Sequence, residues 1–113
     1  MREILFRGKA GAKWVYGDLR HLNDGRVAVR KDGEIYPYEV IPETVGQYTG
    51  LTDKNGKRIF ENGYMIIDNK TYKVIFDNAE YILTNIFGCD IITLKNNSIK
   101  GVFVDEIWSD KKI

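Results

Sequence analysis

Residues 71–77 read TYKVIFD, and this stretch decides the fold class because apolar and polar side chains alternate along it. A period of two places Tyr72, Val74 and Phe76 on one side of an extended strand. Residues 26–30, RVAVR, follow the same pattern, with the valines on one face and the arginines on the other. β-Branched and aromatic residues dominate both stretches, as is typical of strands. The pattern therefore predicts β-strands.

Turn signals separate the apolar stretches along the whole chain. Asn-Gly and Asp-Gly pairs, such as those at 32–33 and 55–56, supply the positive φ that tight hairpins require. A helical period is not sustained for about ten residues anywhere, and at most a single helical turn is expected at 42–45. Short strands between turns at a spacing of roughly 8–12 residues indicate a sandwich or barrel. We expect about eight to ten short strands, an all-β fold and almost no helix.

Size and composition indicate one globular domain over residues 1–113. The chain has 113 residues, of which 43% are hydrophobic, and this is enough to bury a core. The segment 50–56 is the most plausible seam, with a β-meander over 1–50 packed on a small barrel over 51–113. The net charge of +1 argues against a dedicated duplex-DNA binder. Residues 1–58 carry +3 and residues 59–113 carry −2, so copies could pair head to tail.

Catalytic and metal-binding groups are scarce. Cys89 is the single cysteine, which excludes an internal disulfide framework and a multi-cysteine zinc site. His21 is the single histidine and lies beside a turn, so no second histidine can activate the thiol. Asp105 and Glu106 are neighbours and would face opposite ways on a strand. We therefore expect no enzyme activity, no cofactor and no metal.

No apolar stretch approaches the roughly 18–20 residues of a membrane span, and no signal-peptide core follows the N-terminus. The sequence thus predicts no membrane partner and a reducing cytoplasm as its location.

Residues 50–58, GLTDKNGKR, superficially resemble a phosphate-binding loop. Such a loop has four residues between its glycines and a hydroxyl residue after its lysine. Here five residues intervene and Arg58 occupies the hydroxyl position, which argues against nucleotide hydrolysis. The stretch is either a tight polar turn or an anion contact, in which backbone N–H groups act beside Lys54, Lys57 and Arg58.

The N-terminal segment interleaves Arg7 and Lys9 with Trp14 and Tyr16. If Val15 points to the core, both aromatic side chains lie on the opposite face. Aromatic groups beside cations can stack on a base and hold its phosphate. The alternative is that they face a second layer or a neighbouring subunit.

Tyrosines are abundant, and they suit half-buried interfaces. Tyr48 is a further candidate for stacking on a base. Pro37 lies between Tyr36 and Tyr38 and predicts an edge strand or a strand end, because proline cannot donate to a ladder. Such an edge could add to the sheet of a partner.

Three motifs resemble the YopX family of phage and prophage proteins. They are RGK at 7–9, WVYGDL at 14–19 and PETVGQYTGLTDKNGKRIFE at 42–61. Together they cover residues 2 to about 65, whereas the C-terminal third is similar only as a pattern of strands. The family usually continues with Gly-Asp, but this chain has Asn62-Gly63, so no role of that aspartate is carried over.

The resemblance implies an SH3-like barrel in the C-terminal part, a phage or prophage origin, the cytoplasm of a bacterial host and self-assembly, but no reaction. We therefore expect a non-enzymatic accessory protein that binds as a homo-oligomer and sequesters an anionic nucleotide signal of the host, as a counter-defence. The alternatives are a single-stranded nucleic-acid-binding module and an inhibitor that binds a host protein. The expected ligand-binding residues are Arg7, Lys9, Trp14, Tyr16, Tyr48, Lys54, Lys57 and Arg58.

Overall fold

The structure is a computed structural model that describes residues 4–88 and 90–106. The described residues form ten strands and one short 3-10 helix at Ser98–Lys100. The strands are β1 (Phe6–Ala10), β2 (Lys13–His21), β3 (Val27–Arg30), β4 (Tyr38–Thr52), β5 (Arg58–Phe60), β6 (Tyr64–Ile67), β7 (Lys70–Asp77), β8 (Glu80–Asn85), β9 (Ile91–Thr93) and β10 (Val102–Val104). The predicted all-β fold is confirmed. Within the described ranges, no helix is long and apolar enough to cross a membrane.

The chain divides into two compact units at the Gly50–Leu51 bond. In the N-terminal unit, β1 to β4 form a meander in which β1 also pairs with β4. The four strands therefore form a closed sheet, which gives the unit its barrel-like form. Val15, Val29 and Val40 are buried together in its core, as the alternating pattern predicts.

The long strand β4 bends where it passes β1. Lys9 pairs with Ile41 and Arg7 with Gly46, so five steps along β4 correspond to two along β1. Thr44 stabilises this irregularity, because its Oγ1 accepts a hydrogen bond from Lys9 N at 2.8 Å and donates one to Ile41 O at 2.6 Å. The single helical turn that the sequence allowed at 42–45 does not form, and the segment is a bulged strand.

In the C-terminal unit, β6 to β9 form a meander, and β10 pairs with β6 on its other side. β5 pairs with β4 through the turn at residues 53–57. Met65, Val74, Leu83 and Phe103 are buried on one face of the five-stranded sheet. This face forms the core of the unit.

Two-residue turns connect β6 to β7 and β7 to β8. All four turn residues, Asp68, Asn69, Asn78 and Ala79, have positive φ between 51° and 67°. This is the conformation of type I′ hairpins. Asn62 also has a positive φ of 73°, but it joins β5 to β6, which do not pair with each other. The Asn62-Gly63 pair is therefore a corner between strands and not a hairpin turn.

Candidate ligand-binding face of the N-terminal unit

Four predicted site residues lie together because of the register between β1 and β2. Arg7 is opposite Tyr16, and Lys9 is opposite Trp14. Directly opposed residues of an antiparallel pair project from the same face. Val15 pairs with Gly8 and is buried on the other side, as predicted. We call the surface formed by Arg7, Lys9, Trp14 and Tyr16 the cation–aromatic face.

The Arg7 guanidinium lies over the Trp14 ring, with its Cζ 3.9 Å from the ring centroid. The Nζ of Lys9 is 5.7 Å from the same centroid. Both distances are within the range of cation–π attraction. On β4, Arg7 is opposite Gly46, which has no side chain to compete for the space above the sheet. Arg7 therefore fixes the orientation of the indole.

Burial divides this face into a structural and an accessible part. Arg7 is only 1% exposed, so in this conformation it holds Trp14 and does not meet solvent. Tyr16 is 40% exposed, and Lys9 and Trp14 are half-buried. The accessible groups are thus one cation and two aromatic rings, a combination that suits a base with its phosphate.

Tyr48 belongs to the same side of the N-terminal sheet. Its backbone N–H donates to Leu5 O at 2.7 Å, next to the pairing of Gln47 with Phe6. Because Tyr48 is two residues from Gly46, which is opposite Arg7, its half-buried side chain projects from the face that bears Arg7.

Lys54, Lys57 and Arg58 belong to the C-terminal unit, at and just after the turn at residues 53–57. All three side chains are exposed, and the Nζ of Lys57 is 5.5 Å from the Phe103 ring centroid. The structure therefore places these predicted site residues in a second unit, separate along the chain from the five others.

The anion held by this turn is the carboxylate of Asp53. Asp53 Oδ1 accepts hydrogen bonds from Asn55 N and Lys57 N, both at 2.9 Å. Asp53 Oδ2 accepts one from Phe103 N at 2.8 Å, which ties the turn to β10. The remaining turn amides bond to carbonyl groups: Asp53 N to Lys57 O, Lys54 N to Gly101 O and Gly56 N to Asp53 O.

The reading of this loop as a backbone cradle for an external anion is therefore wrong, because its amides already have acceptors. Burial acts to raise the pKa of Asp53, but the N–H groups of Phe103, Lys57 and Asn55, with the charge of Lys57, outweigh it and lower the pKa. Sequence reasoning assigned Asp53 to a turn and missed its bond to β10. The Asp-x-Asn-Gly pattern of an Asx turn could have indicated the local bonds.

The described residues contain no group of three His, Cys, Asp or Glu side chains placed to hold a metal ion. Cys89 lies outside the described residues. His21 is exposed at the end of β2.

The segment around Pro37 is a strand end, since β4 begins at Tyr38. Tyr38 pairs with Val29 of β3, and the pairing of β4 with β1 begins only at Ile41, so the expectation of an edge strand or a strand end is confirmed. The predicted charge asymmetry also depends on where the chain is divided. When the chain is divided after Gly50, the N-terminal unit has eight basic and seven acidic side chains and the C-terminal unit has nine of each, so neither unit carries a large net charge.

The fold and this face define a small all-β protein with a barrel-like N-terminal unit and a surface that combines cations with aromatic rings. A family model described as YopX protein matches residues 6–104. This covers most of the chain, so the protein belongs to the YopX family. Neither the curated proteins nor the solved structures contain a match to it.

Proposed function

We propose that this protein acts by binding, without turnover, and that its ligand is an anionic nucleotide. The observation that carries the proposal is the register that sets Lys9 beside Trp14 and Tyr16 beside Arg7 on one face. An exposed phenol ring offers a stacking surface for a base. A lysine on the neighbouring strand offers a charge-assisted bond to a phosphate. Trp14, held by Arg7, lies beside the lysine.

The biological role that we propose is counter-defence by a phage or prophage protein in the cytoplasm of its host. A small protein that captures a nucleotide signal in a fixed ratio needs a binding surface and self-association, but no reacting groups. In a homo-oligomer, subunit boundaries can supply the concavity that a single small barrel lacks. The exposed cations Lys54, Lys57 and Arg58 are the candidates for further phosphate contacts across such a boundary.

Isothermal titration calorimetry against a panel of cyclic and linear nucleotides tests this proposal. We expect one class of nucleotide to bind and to be recovered chemically unchanged. Lys9→Ala and Tyr16→Ala should each weaken binding by about fivefold or more, since a charge-assisted bond and a base stack each contribute roughly 1–3 kcal/mol. Lys95→Ala, which removes an exposed lysine of the C-terminal unit, is the matched control and should bind as the wild type does.

The absence of heat with every nucleotide would contradict the proposal, as would equal affinities for Lys9→Ala and Lys95→Ala. Labelled single-stranded DNA and RNA form a separate arm of the experiment. If only these oligonucleotides bind, and their affinity falls steeply with salt, then the protein is a nucleic-acid-binding module instead. If neither class binds and a host protein is captured in a fixed ratio, then the inhibitor alternative replaces it.

A further inference from the structure

The five-stranded sheet of the C-terminal unit has apolar side chains on both faces. Opposite its buried face, the register aligns Tyr64, Ile66, Ile75, Ile82, Ile91 and Val102, all of them exposed or half-buried. We call this side the outer face. Antiparallel sheets commonly present polar residues on the side that does not form the core. An apolar outer face of this extent is typical of a surface that a partner covers.

The outer face carries few charged side chains, and the strand register gives their positions. Lys73 projects from the middle of β7, opposite Tyr64 and Thr84. It has no ion-pair partner in the ranges that the structure describes. Acidic side chains on this side occur at the tip of the β7–β8 hairpin, at Asp77 and Glu80. A partner that fits the centre of this face is therefore apolar and carries an acidic group.

The N-terminal unit bears a segment with these properties. The connection from β3 to β4, together with the first residue of β4, forms the apolar loop (residues 33–38, GEIYPY), which presents Ile35 at 82% exposure and Tyr36 at 80%. Its residues line a shallow surface groove of about 520 Å³. Glu34 belongs to this loop and Asp32 directly precedes it, so two acidic groups lie immediately before the exposed apolar side chains in the chain.

Internal contacts hold the apolar loop in one shape. The Tyr38 hydroxyl donates to Glu34 Oε1 at 2.7 Å, and Arg30 Nη1 donates to Glu34 O at 3.0 Å. The Nζ of Lys31 is 5.6 Å from the Tyr38 ring centroid. A pre-ordered loop loses less conformational entropy when it docks, which favours its use as an anchor.

We propose that the apolar loop of one copy docks on the outer face of a second copy. Ile35 and Tyr36 would pack against the isoleucines of β6, β7 and β8, and Asp32 would approach Lys73. These local charges would orient the contact, because the two units carry nearly equal net charge and would not attract each other as wholes. The inference rests on the self-association in the proposed function, and it is independent of the nucleotide.

Such a contact joins two different surfaces, so it is heterologous. After one contact the pair keeps one free loop and one free face, so assembly continues into a ring or a filament. This property distinguishes the proposal from a symmetric dimer, in which the same surface meets itself.

The test uses two variants of the full chain and analytical ultracentrifugation. The loop variant is Ile35→Ser with Tyr36→Ser, and the face variant is Ile66→Glu with Lys73→Glu. The wild type should show a mass above 13.0 kDa that rises with concentration, whereas each variant alone should remain at 13.0 kDa. Mixed in equal amounts, the variants should form a complex of twice that mass, because the intact loop of one fits the intact face of the other.

Complex formation in the mixture also shows that both variants are folded, and thermal unfolding of each variant checks this independently. Ile99→Ser is the matched control, since it removes an isoleucine of 72% exposure that is outside both surfaces, and it should assemble as the wild type does. A wild type that is monomeric at every concentration overturns both this inference and the proposed self-association. If the wild type assembles, then an assembled variant or a monomeric mixture overturns this inference alone.

Discussion

Asp53 provides the sharpest test of the structural account, because a single carboxylate satisfies three backbone amides. Asp53→Ala removes the acceptor of Phe103 N on β10 and the acceptor of two amides in its own turn. Asp53 is 3% exposed, and Phe103 is buried as well. Leaving the Phe103 amide without its acceptor costs about 2 kcal/mol, and each turn amide costs about 0.5 kcal/mol because water replaces the carboxylate there.

The expected loss for Asp53→Ala is therefore about 3 kcal/mol, which lowers the melting temperature of a chain of this size by roughly 12 °C. Asp53→Asn can keep the turn bonds through its amide oxygen, but its NH₂ group would face the Phe103 N–H. We expect it to lose about 2 kcal/mol. Urea unfolding followed by circular dichroism measures both variants. A loss below about 1 kcal/mol for Asp53→Ala would refute the assigned role of the carboxylate.

The pH dependence of Asp53 has a defined sign. Its pKa in the folded protein lies below the ordinary value of 3.8. Its contribution to stability is therefore fully present above pH 3.8 and is lost as the pH falls below that value. The gap in stability between the wild type and Asp53→Asn should be widest at neutral pH and should narrow as the pH falls below 3.8. Asp24→Asn is the control: the backbone N–H of Arg26 lowers the pKa of Asp24 too, but this exposed group should change stability little.

Further predictions concern the hairpins, a close backbone contact and the cation–aromatic face. Ala79→Gly should raise the free energy of unfolding, measured in urea, by about 0.5–1 kcal/mol, because it relieves the strain of a left-handed alanine. Asn69→Gly should raise it less, since asparagine tolerates the left-handed conformation. Gly17→Ala should lose more than about 3 kcal/mol, because its Cβ would lie 2.0 Å from Arg30 O, and an unchanged melting temperature would contradict this. Arg7→Met should shift the Trp14 emission to the red, measured in a Trp108→Phe background, and an unshifted emission would show that the guanidinium does not cover the ring.

The local pattern of the sequence was sufficient to predict the fold class. Alternation at 26–30 and 71–77 correctly placed Val29 and Val74 in the core, because a period of two has one structural interpretation. Asn-Gly at 62–63 does not by itself identify the connection, because the same dipeptide fits both a hairpin and a corner. Thr44 converts the segment at 42–45 into a bulge through a bond to Lys9, and no local pattern reveals so distant a contact.

The candidate site was predicted only in part, because local alternation shows which residues share a face but not which residues pair across strands. Alternation placed Trp14 and Tyr16 on one face, but only the β1–β2 register shows that they lie opposite Lys9 and Arg7. Burial of Arg7 was not predictable, because a charged residue on a short strand is usually solvated. The bond from Phe103 N to Asp53 spans fifty residues, so the sequence offered no sign that the turn is tied to β10.

The central claim is that the cation–aromatic face binds an anionic nucleotide. The most direct test is an NMR titration of the isotope-labelled protein with the nucleotide that binds in the calorimetric panel. The backbone amide and indole N–H resonances report the binding site. We expect saturable shifts that concentrate on Lys9, Trp14 and Tyr16 in β1 and β2. Spectra that do not change, or shifts confined to strands that lie far from these residues in the sequence, would contradict it.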